Sequence, residues 1–119
     1  MATYVSWSLL ILGAVHVLYG FVKFRAPLLA GVSAGFVGQF GAPEIRRTAL
    51  WFVLFGPLLM MGGHVCVHAA AIGDYETIRL VGIYLLFVSC VGIVALPKSP
   101  FIAGLLLSVL LVAVGFRVI

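Results

Sequence analysis

Carboxylates are scarce in this sequence. Only Glu44, Asp74 and Glu76 occur among 119 residues, and asparagine is absent altogether. Without asparagine there is no N-glycosylation acceptor. Charged residues make up 8% and hydrophobic ones 65% of the chain, against roughly 25% and 45–50% in soluble domains. That balance excludes a water-soluble globular domain, a disordered chain, a coiled coil and a nucleic-acid module. Both cysteines, Cys66 and Cys90, stand inside apolar runs, with no Cys-x-x-Cys pair and no zinc-type Cys/His cluster. No disulfide and no structural zinc site is therefore expected.

The three acids also fall outside the apolar runs, which narrows the chemistry further. A small proton-coupled exchanger needs an acid within the membrane, and a two-carboxylate hydrolase needs two that face each other. A nucleophile triad lacks its buried acid. Ser89 or Cys90 with His16 would form only a dyad.

What the sequence has in abundance is apolar length. A membrane-crossing helix takes ~20 apolar residues, and four runs qualify as candidates, at about 4–24, 48–71, 78–96 and 101–116. Lys23 and Arg25 follow the first run, the reverse of a cleaved signal peptide, so that run is read as a retained helix. Pro97-Lys98-Ser99-Pro100 separates the last two runs, because a helix cannot continue through those prolines without strain. The expected fold is an all-α integral membrane protein. It is a four-helix bundle forming one transmembrane domain over residues 1–119, with a short interfacial or re-entrant segment between the first two spans.

Basic residues orient the spans. Lys23, Arg25, Arg46, Arg47 and Lys98 fall on one side, and only Arg79 and Arg117 on the other. Five against two sets the first and third connections in the cytoplasm and both termini outside. The net charge of +4 thus reads as topology and headgroup contact, not as a nucleic-acid footprint. Glu76 and Arg79 are spaced for a helical ion pair.

Residues 26–45 are too polar and glycine-rich to span, yet too apolar for a free loop. Leu29, Val32, Phe36 and Phe40 stand at helical spacing, which suggests an amphipathic helix in the headgroup layer. A re-entrant lid is the alternative, provided that protein covers its backbone.

Each span carries two small residues seven apart: Gly13 and Gly20, Gly56 and Gly63, Gly82 and Ser89, Ser108 and Gly115. Seven residues are two turns, so each pair marks one stripe where backbones can approach closely. Stripes of this kind also suit self-association into a homo-oligomer, which Gly115→Leu or Gly104→Leu would weaken. Pro57 removes one helical hydrogen bond and crowds the carbonyl of Val53, so a kink is expected there. Trp51, Phe52 and Phe55 precede it as an aromatic belt or a ligand-stacking surface.

Histidine within a span is costly and is a functional candidate by default. His16 lies between Gly13 and Gly20 on the small-residue stripe, ~18 Å along the first span. Tyr19 and Ser89 are its candidate catalytic partners, and His64, Trp51, Phe55, Tyr84 and Ser108 are candidate ligand contacts. The plain alternative is a neutral imidazole bonded to Ser89, Ser108 or a carbonyl freed by Pro57. His64 and His68 are one turn apart and could present two imidazoles to one metal, but the acid of a His-Glu-x-x-His protease is missing. Three functions follow. The first is an intramembrane site for a lipophilic small molecule, with proton-shuttle, isomerase-like chemistry at His16. The second is an interaction protein, such as an immunity or accessory subunit. The third is a haem or metal carrier.

The motifs Gly13-x-x-His16-x-x-x-Gly20, Leu50-Trp51-Phe52-x-x-Phe55-Gly56-Pro57 and Pro97-x-Ser99-Pro100-Phe101 resemble an uncharacterised family of small four-helix membrane proteins, a domain-of-unknown-function family found mostly in bacteria. The likeness runs over about residues 7–105, and its second motif is the most specific. The family's third motif more often reads Pro-x-Ser-Gly-Phe, so Pro100 is a departure. The resemblance implies a bacterial inner-membrane protein and favours His16 over the other histidines. It brings no activity with it.

Overall fold

The computed structural model describes residues 1–97, 99 and 101–119. Lys98 and Pro100, which enter the basic count and the expected turn, lie outside the described residues. All regular structure among the described residues is helical: α1 (Ala2–Lys23), α2 (Arg25–Ser33), α3 (Glu44–Ala71), α4 (Tyr75–Ala95) and α5 (Phe101–Gly115). Three of these, α1, α3 and α4, are long and apolar enough to cross a membrane. The fourth expected run gives α5, whose 15 residues rise only ~22 Å, short of a ~30 Å hydrocarbon core.

α3 starts at Glu44, four residues before the apolar run. Hydropathy stops at Arg46 and Arg47, but the helix does not, since Glu and Arg are good helix formers and an acid suits the first turn.

The 26–45 segment departs from expectation. α2 ends at Ser33, and Gly35 (φ 113°) and Phe36 (φ 66°) turn left-handed. The N–H groups of Gly35 and Phe36 then donate back to Val32 O at 3.1 Å and Gly31 O at 3.0 Å, closing the helix end. The amphipathic stripe therefore breaks. Leu29, Val32 and Phe36 are exposed, whereas Phe40 is buried. The Phe40 ring folds over Gly31, where a Cβ would stand 2.5 Å from the ring tip. A helix-period pattern could not survive Gly35, which offers the chain a turn at no steric cost.

The turn between α3 and α4 is built in the same way. Gly73 has φ 73°, and the Asp74 N–H donates to Ala69 O at 2.8 Å. Asp74 then caps α4, accepting from the Thr77 N–H at 3.1 Å and from the Thr77 hydroxyl at 2.5 Å. The Thr77 hydroxyl, and secondarily its N–H, holds the Asp74 carboxyl below the ordinary carboxylate range. A depressed folded-state pKa contributes stability that is present above the unfolded value and is lost as pH falls through the folded one. Thermal stability should therefore drop below about pH 4, and Asp74→Asn should flatten that part of the profile.

Close packing groups the chain into two compact units, residues 1–10 with 61–119, and residues 11–60. In the first unit, a Cβ on Gly63 would run into the backbone of Leu10. The α4–α5 pair is closer still to a zipper of small residues. A Cβ on Gly82 would stand 2.9 Å from Val112 N, one on Gly104 2.9 Å from Ser89 Oγ, and one on Gly115 2.5 Å from Arg79 Cα. In the second unit, a Cβ on Gly13 would stand 2.6 Å from Met60 N, Gly56 is pressed against Val17, and Gly20 faces Phe52 and Val53. The small-residue stripes thus pair in twos, α1 with α3 and α4 with α5. Gly104 and Gly115 are both buried within the chain. Enlarging them would part α4 from α5, so those substitutions report intrachain packing rather than self-association.

Arg79 also departs from expectation. Its guanidinium lies over the Phe116 ring at 5.0 Å, and that of Arg117 lies over Tyr75 at 4.9 Å. Cations over aromatic faces at a helix-pair end suit a membrane interface.

Candidate intramembrane site

α1 and α3 bring His16 against Phe52. The glycines on both sides of His16 let the helices approach, and the imidazole enters that contact half-buried. Its Nε2 lies 2.8 Å from Phe52 O. The ring stacks on the Phe52 ring at 4.1 Å and 18°, and Phe55 meets it edge-on at 5.6 Å. Phe52 O precedes by one residue the carbonyl that Pro57 deprives of its donor.

This bond fixes the tautomer. A carbonyl oxygen can only accept, so Nε2 carries the proton and donates it. In the neutral ring Nδ1 is then a bare acceptor. The site therefore offers one lone pair between aromatic surfaces in an apolar stretch of helix. Below it, Phe52 continues towards Phe24 (5.2 Å) and Tyr19 (6.0 Å). The Lys23 ammonium lies 5.5–6.0 Å from the Phe24, Tyr19 and Phe52 rings. His16 is seven residues from Lys23, ~10 Å, so it sits in the half of α1 nearer the basic end rather than at its centre.

The other expected site residues fall in both units. Tyr19 is half exposed, and its ring shares Phe52 with His16. Trp51 is 65% exposed on α3. Ser89, Ser108, Tyr84 and His64 belong to the other unit. There Ser108 donates to Leu105 O of its own helix at 2.7 Å, and Tyr84 and His64 are exposed. Ser89 is buried against Gly104, and its hydroxyl has no partner among the described residues. Cys66 is buried and Cys90 exposed, both as free thiols. No group of three or more His, Cys, Asp or Glu able to hold a metal occurs among the described residues.

Sequence reasoning passed over two groups. Phe52 O supplies the hydrogen bond, and a backbone carbonyl has no residue signature. Ser6 is fully buried, and its hydroxyl has no partner among the described residues. It stands seven residues before Gly13, so extending the stripe by two turns would have found it.

Long apolar helices paired through glycine define a helical protein of membrane-spanning character, with an aromatic-flanked histidine at the α1–α3 contact. The chain belongs to DUF6463, a family of unknown function whose model matches residues 1–117. That match extends beyond the motifs that first suggested such a family. No curated protein and no solved structure matches the chain.

Proposed function

We propose that this chain is a polytopic membrane protein with an intramembrane site at His16 for a lipophilic small molecule that carries a hydrogen-bond donor. The observation that supports this reading is the spent Nε2 proton. With Phe52 O accepting it, Nδ1 is left to receive a hydroxyl or N–H from a ligand lying along the Phe52 and Phe55 rings. Proton transfer would use the same atom as base, with Tyr19, one turn on, as the nearest hydroxyl along α1. Binding is the better-supported activity, because it asks only for the Nδ1 acceptor, whereas a proton shuttle needs a second group as well. The lipid bilayer is the surrounding partner in this reading. A bacterial inner membrane and outward-facing termini follow from the family resemblance and the basic-residue count.

The test is chemical extraction of the purified chain, followed by unbiased mass spectrometry. A lipophilic species should accompany the wild type and be lost from His16→Gln and His16→Phe. The Gln amide can still donate to Phe52 O but lacks the ring acceptor, and Phe keeps most of the volume. Both variants should retain wild-type helicity. An identical extract from all three chains would refute the site.

A further inference from the structure

The outward face of α3 near its C-terminal end carries a second histidine pair that the His16 reading does not use. His64 and His68 are both exposed, and their i, i+4 spacing puts them on one face, one turn apart. The face around them is apolar: Met61 is 59%, Val65 42% and Ile72 66% exposed. Gly63 and Cys66, by contrast, turn into the chain, Gly63 against Leu10. Among the described residues neither imidazole has a hydrogen-bond or ring partner.

Depth makes this arrangement costly if it is left uncovered. α3 has 28 residues, ~42 Å of rise against a ~30 Å hydrocarbon core. Centred in a bilayer, it would hold His68, three residues from Ala71, in the headgroup layer. His64, seven residues from Ala71, would stand just inside the hydrocarbon. Polar groups there are rare and usually have a partner.

From this we infer that His64 and His68 form half of a divalent metal site, completed by the same two residues of a second copy. Two imidazoles at i, i+4 can bind one ion, and a tetrahedral zinc-type ion takes four ligands. A single copy would have to complete the shell with water on a face lined by Met61, Val65 and Ile72. A two-fold axis along the membrane normal instead brings the face against itself. It supplies two further imidazoles and buries the apolar residues around the ion. The shallow position lets the metal enter from water. Asp74 and Glu76 in the adjoining turn and first turn of α4 are two of the three carboxylates in the chain, and they offset the charge of the ion in the same layer. The proposal is independent of the His16 site.

The experiment uses the full chain in mild detergent, with zinc alone as the probe, read by calorimetry and light scattering. Half an equivalent of zinc per chain should bind, the mass should double, and a chelator should reverse both. His64→Gln and His68→Gln should each weaken binding by at least about tenfold. Both positions are exposed, so helicity should be unchanged. Cys90→Ser should bind zinc and dimerise as wild type does. The inference is overturned if no zinc binds, if a full equivalent binds without a change in mass, or if a dimer forms regardless of zinc or of these substitutions.

Discussion

Gly63→Ala should destabilise the protein strongly, while Gly62→Ala, its neighbour on the same helix, should be neutral or stabilising. Both changes remove a helical glycine, which alone favours the variant by about 1 kcal/mol. They differ in what the new methyl meets. At Gly62 it would find Leu9 Cδ2 and Val81 Cγ1 at 3.7 Å, which is ordinary van der Waals contact. At Gly63 it would enter the space of the Leu10 N and Cα atoms, and backbone of a second helix cannot swing aside. α1 and α3 must separate locally. Overpacking of this kind costs about 1–3 kcal/mol. Helix pairing in lipid rests on that close contact more than on apolar burial. Unfolding by denaturing detergent, followed by near-ultraviolet circular dichroism, should show Gly63→Ala losing tertiary structure well before wild type. Equal behaviour of the two variants would mean that the α1–α3 contact is not close-packed at this level.

The contrast also separates what a linear pattern can carry from what it cannot. The seven-residue spacing marks which residues are small and which face they share, and Gly13, Gly20, Gly56 and Gly63 do lie in helix contacts. The pattern is silent on partners. Four equivalent stripes are compatible with one bundle of four or with two pairs, and only the contacts match α1 to α3 and α4 to α5. Helix length was readable because apolar composition is continuous over three spans. The start of α3 was not, since Glu44, Arg46 and Arg47 lower the hydropathy without breaking the helix. Phe36 and Phe40 misled because side-chain periodicity ignores backbone sign, and Gly35 and Phe36 reverse it. At the site, the facing of His16 towards its neighbour helix followed from its flanking glycines. Its bonding partner did not, because any residue at position 52 would present the same carbonyl.

The sharpest topological outcome concerns α5. A 15-residue helix is short for a crossing, and on length alone it could lie in one leaflet. Its contacts with α4 argue otherwise. Phe101 covers Gly92, Gly104 faces Ser89, Leu111 meets Gly82 and Gly115 meets Arg79. The Arg117 guanidinium then reaches the Tyr75 ring at the start of α4. α5 therefore runs antiparallel along α4 for nearly all of its length, from Gly92, three residues before the end of α4, to Arg79, just past its first turn. If α4 crosses, α5 returns, with Arg79 and Arg117 extending to the headgroups over Phe116 and Tyr75. In that arrangement local thinning of the bilayer would meet the missing length, at a fraction of a kcal/mol per Å. A reporter active only in the cytoplasm should be silent when fused after Ile119 or inserted at Gly73, and active when inserted at Ser99. Activity at both Ile119 and Gly73 with silence at Ser99 would invert the orientation but keep the hairpin. Matching signals at Ser99 and Ile119 would mean that α5 does not cross, and its pairing with α4 would then have to form outside the bilayer.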